Sequence, residues 1–475
     1  SVLVANDGAS VKIASGKKLE TNTNVGLIAN TNGAVAENEG TLESTRDDKG
    51  IGIYAKAATA KNTGTNATIT MNNKEAVGML GLVSSTLTNS AKIELKGISS
   101  AGMYGENSDL TNSTTSSQII VNKEASAGMY AKMTKDSNGS KTSKNEGTID
   151  IKADGDGKSA AMYSHKASGE STLTTKNSGT IKVAQEASAG IYVKNESGKD
   201  KNTSLAENTG SIKMTGVKSV GIIAEKSKVT NSETTGTIEI SGANSTGILA
   251  SASSEVINSG TIEGKTGANL VGISVDTTST ALNSGSIIMN TTHNTGIASK
   301  GGEIRNEKSI ELKGANSTGI SSENGNVTNS TGANIKVGAA ESVGIYAKMS
   351  GDVDKKVTNT GTISLETNTG TPDKSAAIYS LVDGGTGTGI LTTENNGTIN
   401  VDQKDSVGIF AQNNGTANTR SVVKNTKIIN VSKEGSAGIL GDKSTITNSG
   451  AGTEGIKLTA KKTAGIIGKK DSVVN

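Results

Sequence analysis

The sequence has no cysteine, no tryptophan, one proline, one phenylalanine and two histidines in 475 residues. Without cysteine no disulfide framework can form, and the absence suits a chain that crosses an oxidising periplasm unfolded. His165 and His293 lie five repeats apart and are read as having no partners, which argues against a metal site or a Ser–His pair. No run of 18 apolar residues exists, so no helix spans a membrane. Neither charge dominates: 48 Lys and Arg face 45 Asp and Glu, interspersed, with a net charge of +3. That balance excludes the strong field expected of a nucleic-acid or membrane-surface binder. No signal peptide opens the chain and both ends fall in mid-pattern, so the expectation is a fragment of a longer array.

What the sequence does have is a repeat. Ser, Thr, Asn and 60 Gly dominate, a composition that by itself suggests disorder, but Ile, Val, Leu and Met recur at regular places. A phrase such as GLIA, GIYA or GMYG occurs 17 times, its glycine position running from Gly26, Gly52 and Gly78 to Gly438 and Gly465, with Ala161 and Ala377 as substitutes. Its spacing is 23 to 33 residues. A period of this size means stacked coils, each leaning on its neighbours.

Three landmarks define one coil. The residues before and after the glycine, such as Val25 and Leu27, are two apart, so on a strand both are expected to face the core. An asparagine follows, usually before Ser, Thr or Glu and then Gly. Asn145, Asn177, Asn208, Asn258, Asn283 and Asn359 are examples, and stacked coils would pile their amides into a ladder. Then comes a strand of period two, such as TIDI at 148–151 or TIKV at 180–183. Two or three short strands per coil predict an all-β, right-handed parallel β-helix of about 17 coils. At the interstrand distance it would form a monomeric column of roughly 80 Å.

Six coils carry longer insertions, in two runs of three: 132–144, 165–176 and 194–207, then 348–358, 381–394 and 412–424. Adjacent insertions at one position build a ridge, so two ridges are expected. GMYAKM (128–133) answers GIYAKM (344–349), and KSAAMYS (158–164) answers KSAAIYS (374–380). The expected organisation is therefore a single continuous β-helix over 1–475, containing tandem eight-coil blocks at 52–271 and 272–475. All eight aromatic residues stand two positions after the glycine. Six of them, Tyr130, Tyr163, Tyr192, Tyr346, Tyr379 and Phe410, belong to the coils with insertions. Two readings stand side by side: rings that anchor loops folded over them, and a recognition face of tyrosines beside adaptable Ser/Gly/Asn loops.

No catalytic, cofactor or metal site is read from the sequence. Asp47/Asp48, Asp154/Asp156 and Asp352/Asp354 lie far apart in coil number, and Asp154-Gly-Asp156 lacks the remaining acids of a calcium loop. GGTGTG (384–389) has no following Lys to make a phosphate loop.

Arrays of Gly-[IM]-[YL]-[AG] followed by T-N-[ST]-G-T-I, rich in Lys and Asn and free of cysteine, resemble the passenger regions of monomeric type V autotransporters. They are most similar to large fusobacterial outer-membrane adhesins, over the whole chain. The resemblance implies export through a C-terminal β-barrel not contained in this sequence and display on the bacterial cell surface. It implies adhesion to a host receptor, a host glycan or another bacterium, without chemistry. Two alternatives remain: a passive stalk whose binding tip lies elsewhere, and a polysaccharide-degrading β-helix enzyme.

Overall fold

Short alternating strands with one apolar face cannot bury that face alone, and they do so here by winding. The computed structural model describes residues 2–134, 139–232, 235–367, 373–384, 387–415, 417–450 and 454–475. It resolves two compact units, Ser1–Glu255 and Val256–Asn475. Each unit is a parallel β-solenoid with three sheets, and together they hold about 17 turns. Among the described residues there is no α-helix, only two 3-10 turns, Lys201–Thr203 and Asn418–Arg420.

One coil of the first unit shows the plan. Ala127–Met133 lies in the first sheet, Lys141–Asn145 in the second and Thr148–Ile151 in the third. The next coil pairs with it in parallel and in register: Tyr130 with Tyr163, Asn145 with Asn177, Ile149 with Ile181. In the second unit the same plan pairs Tyr346 with Tyr379, Asn359 with Asn395 and Ile363 with Ile399. Inward residues of the third sheet, such as Ile149, Ile151, Ile363 and Leu365, are fully buried. Each such side chain contributes about 1.5–3 kcal/mol of transfer free energy before entropy is charged.

At the end of the second-sheet strand the asparagines meet. In the first unit each Nδ2 from Asn38 through Asn62, Asn89, Asn112, Asn145, Asn177 and Asn208 donates to the Oδ1 of the next coil's asparagine, ending on Asn231, at 2.7–2.8 Å. In the second unit the chain of bonds runs from Asn258 through Asn283, Asn306, Asn329, Asn359, Asn395 and Asn425 to Asn448. All but Asn448 are fully buried. A buried carboxamide is tolerated only when its donors and acceptors are used, and here the neighbouring coil uses them.

One expectation about the core is overturned. The residue before the glycine is not uniformly inward: Val25, Ile51, Val77 and Val343 are half-exposed, Ala101, Ala127, Ala189, Ala376 and Ala437 are buried, and the residue after the glycine is buried in both cases. In Ala127–Met133 the first three residues, Ala127, Gly128 and Met129, are all buried, and regular alternation resumes only with Tyr130 outward and Ala131 inward. The alternation breaks by one residue at this position, in the coils with Ala161 and Ala377 as in those with glycine. A Cβ on Gly128 would lie 2.6 Å from the carbonyl oxygen of Ala161 on the next coil, so the backbones approach there as a side chain normally would not allow. The residue before the glycine consequently shares the outer face with the aromatic register.

Replacing Asn145 by Leu would orphan the Asn112 donor and the Asn177 acceptor at once. The expected cost is about 1–3 kcal/mol for each orphaned group, read as a lower denaturation midpoint. An unchanged midpoint would mean that the ladder contributes nothing.

Candidate binding surface

Because the outer position two after the glycine repeats in register, its aromatic rings stack from coil to coil. In the first unit Tyr104 packs edge-on against Tyr130, with centroids 4.9 Å apart. Tyr130 stacks on Tyr163 at 4.7 Å, and Tyr163 lies 5.0 Å from Tyr192. In the second unit Tyr346 meets Tyr379 at 5.3 Å, and Tyr379 stacks on Phe410 at 4.7 Å. All of these rings are half-buried. Each aromatic pair adds about 0.5–1.5 kcal/mol beyond area burial.

The hydroxyls end on polar neighbours. Tyr104 donates to Glu106 at 3.3 Å, Tyr192 donates to Glu225, and Tyr379 donates to Gln412 at 2.6 Å. Burial pushes the hydroxyls of Tyr104, Tyr130, Tyr163, Tyr192, Tyr346 and Tyr379 above the usual phenol value. For Tyr104 and Tyr192 the adjacent carboxylates push in the same direction. A charged row runs alongside: Lys132 pairs with Glu106 at 3.1 Å, and Glu196 receives both Lys194 at 2.6 Å and His165 at 2.7 Å. His165 is therefore not partnerless, contrary to the sequence reading. The register that places it one coil from Lys194 was visible, but the reach of Glu196 from the following loop was not. Hydrogen bonding from Lys194, and then from His165, holds the Glu196 carboxyl below its ordinary range.

Beside the first stack lies an open groove of about 670 Å³. Ala101, Ala127, Ala160 and Ala189, the residues before the glycines, form its floor. The tyrosines wall one side, and a sharp corner carrying Ala125, Lys158, Ala187 and Lys218 walls the other. Those corner residues hold left-handed backbone, with φ of 47–63°. Their amides compensate by donating to the next coil: Ala125 to Gly157 O at 3.0 Å, Lys218 to Ala243 O at 2.9 Å. The next residue is usually serine, and these hydroxyls form a second ladder. The Ser100, Ser126 and Ser159 amides donate to the Oγ of Ser126, Ser159 and Ser188. A serine two before the glycine position, in eleven of the 17 phrases, was the unread signal.

The insertions occupy one corner, between the first-sheet and second-sheet strands. The six coils that carry them have seven-residue first-sheet strands, so Met133, Lys166, Asn195, Met349, Val382 and Asn413 extend the sheet before each loop leaves it. Residues 135–138, 385, 386 and 416 of these segments lie outside the described residues. In the first unit Lys166 is fully buried and donates to Thr203 Oγ1 at 2.6 Å, tying the second loop to the third. Burial pushes its ammonium below the ordinary lysine value. Lys199 and Glu170, 2.5 Å apart, join the same two loops at the surface.

In the second unit the buried guanidinium of Arg420 donates to three carbonyls: Gly389 at 3.1 Å, Gly384 at 3.1 Å and Gly351 at 3.2 Å. It thereby holds all three loops of that tier. Asp352 and Asp354 accept from the amides of Thr388 and Ile390, which gives these acids a loop-bridging role. Asn195 and Asn413, equivalent in the two units, each close the third loop by donating to carbonyls four or five residues on.

The sequence profile described as the BigA third pectate lyase-like domain matches residues 2–198 and 233–474. The chain belongs to that family. No curated protein and no solved structure matches it. Among the described residues of this pectate lyase-like domain, no group of three or more His, Cys, Asp or Glu is gathered as metal ligands. Asp154 is exposed and pairs with Lys123 at 2.7 Å.

Two measurements follow. Arg420→Met should orphan three carbonyls, costing about 2–4 kcal/mol, and open 381–394 to limited proteolysis. Lys166→Met loses one hydrogen bond but removes a buried charge, so its effect on stability should stay under about 1.5 kcal/mol. Equal effects would refute the difference in role. The tyrosines have raised folded values, so the stability linked to them is whole below the unfolded phenol value of about 10. It should decline as pH rises from there towards the folded values, seen in thermal melts between about pH 9 and 12.

Proposed function

We propose that this chain is a non-catalytic adhesive segment of a bacterial cell-surface protein, of the autotransporter type that its repeats resemble. Its contacts are to a host surface protein, a host glycan or another bacterium. The observation that carries this reading is the pinning of each loop tier. Lys166 and Arg420 are buried side chains whose polar atoms are spent on neighbouring loops. Surface loops on a solenoid are cheap to leave loose, and loops held in one shape lose less entropy on meeting a partner. Half-exposed tyrosine stacks beside the loops add rigid, amphipathic contact area of the kind found at binding hot spots.

The stalk alternative is favoured by a different observation, the uninterrupted asparagine ladder within each unit, since a spacer needs axial continuity and nothing else. Beads coated with the chain, applied to host cells and to partner bacteria, separate the two. In a variant with 196–203 and 414–420 cut back to the turns of the short coils, bead attachment should fall at least roughly tenfold. Attachment that survives both deletions would leave the stalk reading standing.

A further inference from the structure

Cysteine, methionine, tryptophan and tyrosine are the side chains that give up electrons most readily. This chain has no cysteine and no tryptophan, and all nine of its methionines are fully buried. Sulfur oxidation follows exposure, so those thioethers are shielded. The half-buried tyrosines are what an oxidant in solution meets.

Register decides which tyrosines have a partner. Tyr54 pairs with Ile28 on one side and Leu80 on the other, so no tyrosine stands beside it. Tyr104, Tyr130, Tyr163 and Tyr192 follow one another on consecutive coils. Tyr104 is edge-on to Tyr130 at 83°, and Tyr346 is edge-on to Tyr379 at 62°. In an edge-on pair one ring points its rim at the face of the other, and the carbons ortho to the two hydroxyls do not lie opposite each other. Tyr163 is closer to face-on with both neighbours: 29° and 4.7 Å from Tyr130, 30° and 5.0 Å from Tyr192. Rings related by one step of the sheet place like carbons opposite each other, at close to the centroid separation. The second unit has a comparable stack, Tyr379 on Phe410 at 17° and 4.7 Å, but Phe410 has no phenol.

We propose that Tyr163 is an oxidative cross-linking site, coupling to Tyr130 or Tyr192 as an ortho-linked biphenol when a haem peroxidase and hydrogen peroxide oxidise the chain. Each phenol loses one electron and its hydroxyl proton. The two ring radicals join carbon to carbon at the positions ortho to oxygen. The hydrogens on those carbons pass to the oxygens as the rings regain aromaticity. The two electrons and two protons reduce one peroxide to two waters. Tyr192 already donates its hydroxyl hydrogen to Glu225, which gives the leaving proton a base. Strand pairing holds the rings together, so the coupling is unimolecular. The new bond joins Ala160–Lys166 to Ala127–Met133 or to Ala189–Asn195 and staples adjacent coils. This site goes beyond the adhesion reading and does not depend on it.

The full chain, kept dilute, is treated with a haem peroxidase and limiting hydrogen peroxide. The readouts are the blue emission of the biphenol, which no tryptophan obscures, and mass spectra of the digested monomer. Cross-linked peptides should join Tyr163 to Tyr130 or Tyr192 and weigh two hydrogens less than their sum. Tyr163→Phe should lower the yield at least about tenfold. Phenylalanine already holds this register at Phe410, so the variant is expected to keep the wild-type thermal unfolding curve. Tyr54→Phe should leave the yield unchanged. A monomer without biphenol, or biphenol formed only between chains, overturns the proposal. So does a yield that survives Tyr163→Phe, or bonds that map to Tyr54, to Tyr104 with Tyr130 or to Tyr346 with Tyr379 as often as to Tyr163. The mapping is made on the wild-type chain and stands whether or not the variant folds. Bead adhesion is measured separately, and its loss or survival leaves these outcomes unchanged.

Discussion

Each coil of this solenoid must use the polar groups of the coil beside it. The asparagine at the end of every second-sheet strand is buried where no water reaches, and its amide is satisfied only by the equivalent amide one coil along. That requirement fixes register. A slip of one residue would leave a column of buried carboxamides unpaired and turn the aliphatic rows outward. The serine ladder at another corner repeats the constraint with hydroxyls, and the left-handed residue before the serine donates its amide hydrogen bond to a carbonyl of the next coil. Two polar corners and an aliphatic interior make every coil the template for the next.

Strict register has a consequence for the surface. Anything placed at one outer position is repeated at about the interstrand distance, which is also a comfortable ring-stacking distance. Tyrosines two residues after the glycine therefore become stacks, and the small residue before the glycine becomes a floor. The glycine is what joins the two. At its position, held by Ala161 and Ala377 in two coils, strand alternation breaks by one residue, so the residue before it lies beside the aromatic register.

The insertions obey a different economy. They leave the ladder corners untouched and emerge between the first and second sheets, where a longer path does not disturb register. Loops with no sheet partner need another source of order, and each tier has one: Lys166 reaching Thr203 in the first unit, Arg420 reaching three glycine carbonyls in the second. A guanidinium has enough donors to hold two other loops from a third, whereas an ammonium bonded to one hydroxyl ties one loop to the next.

Period, strand alternation and the recurrence of Asn and Gly were legible along the chain, because a stacked fold writes its constraints at fixed intervals. The all-β solenoid, its three recurring segments, the aromatic register and the position of the insertions were determined there. The outward turn of Val25, Ile51 and Val77 was not, because alternation counted from the glycine assumes a regular strand and the strand breaks step there. Nor were the partners of His165, Lys166 and Arg420 legible. They are reached across loops of unequal length, from residues 31 to 69 positions away that share no repeat. Sequence determined what recurs, since each coil repeats the same local problem. Only the tertiary structure decided what lies between the repeats, since a loop's bonds depend on where its neighbours end.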